Sequence, residues 1–230
     1  MREQEPNPLA TMPDAQSETS AADPVGDVPA VIRKRPKPGE RRVQILQALA
    51  AMLEQPGAER ITTAALAARL QVSEAALYRH FASKAQMFEG LIEFIENSVF
   101  SLVNQITERE QDGGDPGSRS GTRQAAKVIA MVLHFAEKNP GMTRVMVGDA
   151  LVFEHERLQQ RMNQFFDKIE ATIRQGLRAD VGVSATPTTD AQVLAGVLTA
   201  FVIGRLHRFA RSGFRRLPSE HLDASLDLIL

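Results

Sequence analysis

The chain has 230 residues, enough for a small head domain and a larger one with its own core. It contains no cysteine, which excludes disulfides, thiolate catalysis and Cys-ligated metals and agrees with a reducing cytoplasm. The formal net charge of -1 argues against a nucleic-acid partner only if charge is evenly spread, and it is not. Residues 33–84 hold ten Lys/Arg against four Asp/Glu, a net of +6, whereas residues 1–32 carry a net of -5 and residues 85–230 a net of -2. Basic charge concentrated on one segment is the footprint of phosphate binding. No apolar run reaches the roughly 18 residues of a membrane span. The N-terminus lacks the basic-then-apolar pattern of a secretory leader, so none is expected.

Residues 1–38 are rich in Pro, Ala, Ser, Asp and Glu without aliphatic periodicity, and read as a disordered extension. Its basic end, Arg33-Lys34-Arg35-Pro36-Lys37, reads equally as a DNA-reaching arm or a solubilising linker. A first helix is expected over residues 39–54, with Val43, Leu46, Ala50 and Leu53 inward and Pro56-Gly57 as its stop.

Residues 61–84, ITTAALAARLQVSEAALYRHFASK, read as a helix-turn-helix. Thr62 can cap a helix whose buried stripe is Leu66, Ala67 and Leu70; Gln71-Val72-Ser73 makes a tight connection; and Ser73 caps a short helix over residues 74–81 with Leu77 and Phe81 inward. Thr62, Thr63 and Lys84 stand at helix starts and are candidate phosphate contacts, with Tyr78 and His80 as further backbone contacts. Ser73, Glu74 and Ala75 are candidates for base edges.

Ser83-Lys84-Ala85-Gln86 opens a long helix with a capping-box pattern. Phe88, Leu91, Ile92, Ile95, Val99, Leu102, Val103 and Ile106 share its inward face, and Phe94 and Phe100 fall off that stripe on opposite flanks. A flexible loop over residues 112–122 and helices over about 123–138, 142–153 and 154–179 follow. Asn139-Pro140-Gly141 separates the first two helices. A helix from Pro187 to about Ser212 spaces Gly196, Ala200 and Gly204 every four residues among Val, Leu and Phe. With a last short helix it is expected to form a four-helix seam between two copies. The pattern predicts an all-α chain of about nine helices.

The LYRHF-x-SK ending of residues 77–84 resembles the TetR family of DNA-binding regulators. Two positions depart from the family pattern. Gln71 stands where Gly is usual, at a cost of about 1 kcal/mol if that turn needs a left-handed backbone, and Ala82 stands where Pro is common. The resemblance implies a three-helix head over residues 39–83, a helical dimerisation and partner-binding body over residues 84–230, and a homodimer reading palindromic DNA. Within the body, LIEFIE at 91–96, NPGMTRVMVGDALVFEHERLQQRMNQFF at 139–166 and FVIGRLHRFARSGFRRLPSE at 201–220 resemble the nucleoid-occlusion branch of that family. That likeness implies a cytoplasmic, nucleoid-associated inhibitor of cell division that antagonises FtsZ polymers over the chromosome. It places the FtsZ surface around Phe94 and Asn139, with Met131, His134 and Lys138 nearby.

The chain shows no GxSxG, GxxxxGKS, GxGxxG or HExxH motif, so no enzyme, metal site or cofactor is expected. Arg205, Arg208, Arg211, Arg215 and Arg216 recur at helical spacing and read as a solvated face or a surface for an acidic partner. The competing function is a TetR-type ligand-responsive repressor, with the same head and an apolar cavity in the body.

Overall fold

The computed structural model describes residues 39–55, 61–112, 119–180 and 187–230, all of them within one compact unit, Pro36–Leu230. The N-terminal extension with its basic end, the Pro56-Gly57 stop, residues 113–118 of the expected loop and Thr186 lie outside the described residues. Among the described residues there are nine α-helices and no strand. They are α1 (Glu40–Leu53), α2 (Thr63–Arg69), α3 (Glu74–Tyr78), α4 (Lys84–Asp112), α5 (Ser120–Lys138), α6 (Pro140–Met146), α7 (Glu156–Asp180), α8 (Pro187–Arg211) and α9 (Leu222–Ile229).

The first three helices close over Ile45, Leu49, Leu53, Leu66, Leu77 and Phe81, each at most 1% exposed. Burying one such side chain contributes about 1.5–3 kcal/mol. The inward stripe of α1 therefore differs from the expected one: Ile45 and Leu49 are buried with Ala50 and Leu53, Leu46 is half-buried, and Val43 is 52% exposed. Ile45, Leu49 and Leu53 repeat every four residues and rotate the stripe away from Val43. The short helix ends at Tyr78 rather than Phe81, and the Phe81 N–H still donates to the Leu77 carbonyl at 3.1 Å. Arg42 lies 4.2 Å from the Phe81 ring centroid and donates to the His80 carbonyl at 2.8 Å, tying α1 to the end of the motif.

Helix α4 runs from this head along the body. Phe88, Leu91, Ile92, Ile95, Val99 and Val103 are at most 2% exposed, as their spacing predicts, and Met87 is buried beside them. Leu102, expected inward, is 40% exposed, because the stripe passes through Val99 and Val103. Phe100, expected off the core, packs edge-on against Phe165 with ring centroids 5.5 Å apart, because α7 covers that flank. Arg161 of α7 reaches Glu96 of α4 at 2.6 Å and is held above its ordinary pKa by that bond. Helices α5, α7 and α8 pack on one another around Val128, Ile129, Met162, Phe165, Ile169 and Leu198, all fully buried.

The segment expected as one helix over residues 142–153 is divided. Helix α6 begins at Pro140 and stops at Met146, and a 3-10 turn spans Asp149–Leu151. Gly148, at φ 84, breaks the helix. Pro140 occupies the first turn, where its missing N–H costs no hydrogen bond. The break leaves Glu154 outside α7, whose expected start lay there.

Helix α8 turns Ala191, Ala195, Leu198, Val202 and Leu206 into the core at 0% exposure. Its other side exposes Val193 (61%), Val197 (50%), Ala200 and Gly204. By length and composition the helix segment Asp190–Arg211 could cross a membrane, its most apolar 18-residue window having a mean hydropathy of 1.4, which differs from the expectation that no apolar run is long enough. Its inner face packs against α7 and α5, which makes it a core helix with one uncovered apolar side.

Candidate nucleic-acid and partner interfaces

Thr62 accepts a hydrogen bond from the Ala65 N–H at 3.1 Å, and Ser73 accepts one from the Ala76 N–H at 3.2 Å. Both caps follow the expectation from their β-region backbones. The connection is a Schellman turn: Val72 N–H donates to the Ala67 carbonyl and Gln71 N–H to the Ala68 carbonyl, both at 3.0 Å. Gln71 takes φ 54, the left-handed position that usually falls to Gly.

This turn brings the starts of α2 and α3 together. The Thr63 hydroxyl donates to Glu74 at 2.5 Å, across the two N-termini. Thr62, Ser73, Glu74, Ala75 and Tyr78 are exposed, with Tyr78 at 45%, whereas Thr63 and His80 are half-buried. Two adjacent helix starts present unsatisfied N–H groups and positive dipole ends, which suit phosphate oxygens. Ala75 and Ala76 in the first turn of α3 are small and allow close approach to a groove floor, beside the exposed Ser73 and Glu74.

Lys84, at the start of α4, is not a free cation. Its ammonium pairs with Glu154, whose side chain is only 10% exposed, and lies 5.7 Å from the Phe88 ring centroid. This partnership joins residues seventy positions apart, and no local pattern announces it. A phosphate at Lys84 would share or compete for the ammonium with Glu154.

On α4, Phe94 is 48% exposed and stands outside the core that takes Leu91, Ile92 and Ile95. Helix α5 packs beside α4, and Met131, His134 and Lys138 share one of its faces. Met131 is half-buried against the core, while His134 and Lys138 are exposed. Asn139 is half-buried, and its amide donates to the Phe135 carbonyl at 2.7 Å, closing the end of α5. On α8, a Cβ added at Gly196 or Gly204 would meet no atom within 4 Å, so both positions lie open in the single chain.

Residues 45–91 match the family described as bacterial regulatory proteins of the tetR family, and residues 122–230 match the Tetracyclin repressor-like, C-terminal domain of the SlmA-like type. The nucleoid occlusion factor SlmA of Idiomarina loihiensis is 49% identical over 185 residues, which cover 80% of this chain and 90% of the relative. The chain belongs to the SlmA family. SlmA of Vibrio cholerae is 50% identical, again over 80% of this chain and 90% of its own. Among solved structures, the transcriptional regulator FadR of Bacillus subtilis, determined with stearoyl-CoA, aligns with a TM-score of 0.61 at 12% identity. That alignment covers 81% of this chain and 96% of FadR. At that identity the likeness concerns the fold. Relatives named as SlmA are nucleoid occlusion factors on a TetR-type fold, and the function read from the helix-turn-helix and the body segments agrees with that family.

Proposed function

We propose that this protein is a homodimeric, nucleoid-associated DNA-binding protein that inhibits cell division by antagonising FtsZ assembly over the chromosome. In this reading residues 39–83 form the DNA-binding head and residues 84–230 the dimerisation and partner-binding body. Thr62, Thr63, Tyr78, His80 and Lys84 hold phosphates, and Ser73, Glu74 and Ala75 approach base edges. Phe94, Met131, Lys138 and Asn139 belong to the FtsZ surface. The exposed side of α8 around Gly196, Ala200 and Gly204 meets a second copy. One head reads few base pairs, and two heads related by a two-fold axis read a palindrome.

The observation that carries the reading is that identity of 49–50% to SlmA proteins continues through the body, well beyond the helix-turn-helix. The exposure of Phe94 supports it, because a large aromatic outside the core costs little to the fold and is available to a partner.

The test is sedimentation of FtsZ polymers with the purified protein, with and without its preferred duplex. The duplex-bound protein should reduce the pelleted polymer. Phe94→Ala should bind DNA and melt like the wild type while losing inhibition. Unchanged polymer in the presence of wild-type protein and duplex would remove the division reading. Release from DNA by a small molecule would then favour the ligand-responsive repressor.

A further inference from the structure

Arg205 does not lie on a solvated face, as its place in the arginine run suggested. Its guanidinium donates to the Pro218 carbonyl at 2.7 Å, the Glu220 carbonyl at 2.6 Å and the Ser225 hydroxyl at 2.7 Å, and lies 4.5 Å from the Phe201 ring centroid. All three acceptors are neutral. Burial first, and the nearby Arg208 second, hold Arg205 below its ordinary pKa.

Arg205 lines a cleft of about 280 Å³ together with Arg208, Arg216, Glu220, His221 and Ser225. The chain reaches this shape through an unusual backbone. Past the end of α8, Gly213 and Phe214 both adopt left-handed conformations, with φ 62 and 63. Phe214 folds back edge-on against Phe209, with centroids 5.2 Å apart. The Ser219 N–H is held by Glu137 of α5 at 2.8 Å. His221, at φ 52, is a second non-glycine residue in the left-handed region, just before α9. Such positions cost of order 1–3 kcal/mol each and persist where the surroundings over-determine them. The loop is therefore a built structure.

We infer that this cleft binds a small, soluble, phosphate-bearing anion. Three guanidiniums line it against one carboxylate, Glu220, and among the described residues no ion pair engages Arg208 or Arg216. Arg208 stands on α8 and Arg216 on the returning loop, so their forks come from two separate elements. A carboxylate fills one such fork, whereas a tetrahedral phosphate has oxygens for several. The volume suits a phosphomonoester or a diphosphate rather than a large apolar molecule. The site is made of residues apart from the helix-turn-helix and from Phe94, and does not depend on the division reading.

Calorimetric titration of the full-length protein with inorganic pyrophosphate, at constant ionic strength in chloride, tests the inference. Saturable binding of one pyrophosphate per chain is expected. Arg208→Gln/Arg216→Gln should weaken it at least about tenfold, the loss of two charge-assisted contacts. Melting temperature should stay unchanged, and for Arg216→Gln, which stands off α8, so should sedimentation as a dimer and affinity for duplex DNA. The single variant Arg216→Gln, on the exposed loop, should show an intermediate loss and serves if the double variant fails to fold. No saturable binding at millimolar pyrophosphate, or equal affinity in wild type and variants, would overturn the inference. A variant that loses its dimer would assign these arginines to the seam instead. Arginine-dependent binding to anionic phospholipid vesicles without binding of pyrophosphate would replace the soluble ligand with a membrane surface.

Discussion

Gly141 faces the Ala50 carbonyl oxygen so closely that a Cβ at position 141 would lie 2.0 Å from it. The contact joins α6 of the body to α1 of the head, backbone against backbone. Glycine is required here for approach, since its backbone is ordinary helix. The head is thereby seated directly on the body, and its orientation follows from that of α6.

Gly141→Ala should push α1 and α6 apart. Overpacking of this kind costs about 1–3 kcal/mol. For a chain of this size, each kcal/mol lowers the melting temperature by about 2–4 °C. Calorimetry should show that loss, and DNA affinity should fall with it as the two heads of a dimer lose their fixed spacing. An unchanged melting temperature would mean that the helices separate without strain.

The Lys84–Glu154 pair couples the proposed DNA face to the segment before α7. If Lys84 binds phosphate, removing the competing carboxylate in Glu154→Gln should raise DNA affinity several-fold. Lys84→Ala should lower it and reduce the salt slope by about one. A Glu154→Gln variant with lower stability and unaltered DNA binding would make the pair a structural strut only.

Gln71 holds a left-handed backbone in the helix-turn-helix connection. Gln71→Gly removes that strain, and should raise stability by roughly 0.5–1 kcal/mol after the added entropy of the unfolded chain is subtracted. Thermal melts of the two proteins measure it. A lower melting temperature would show that the glutamine side chain contributes more than its backbone costs.

Gly204 is open on the single chain, so a Glu there meets no internal clash. Gly204→Glu should leave the fold of one chain intact while placing an unpaired charge in the proposed seam. Sedimentation should report monomers, with DNA affinity much reduced. A dimeric Gly204→Glu protein that binds DNA normally would move the interface away from this side of α8.

The sequence by itself determined the helices with strong local signals. Thr62 and Ser73 cap because a hydroxyl in that position needs only its own neighbours, and most of the long apolar stripe of α4 follows from its period, Leu102 excepted. The left-handed turn at Gln71 was open in the residues themselves and was raised only by the resemblance to a family that carries Gly there. Tertiary structure decided what depends on distant partners. Val43 lost its place in the core to Ile45 and Leu49, and Phe100 gained one because α7 lies over it. Lys84 became an ion-pair member and Arg205 a fixed guanidinium through residues 70 and 13 to 20 positions away. Periodicity tells which side of a helix is apolar, but not which neighbour covers it or which charge a neighbour brings. The same physical gap separates the exposed side of α8, written in its glycines, from the cleft at its end, which exists only because the chain turns back after Gly213.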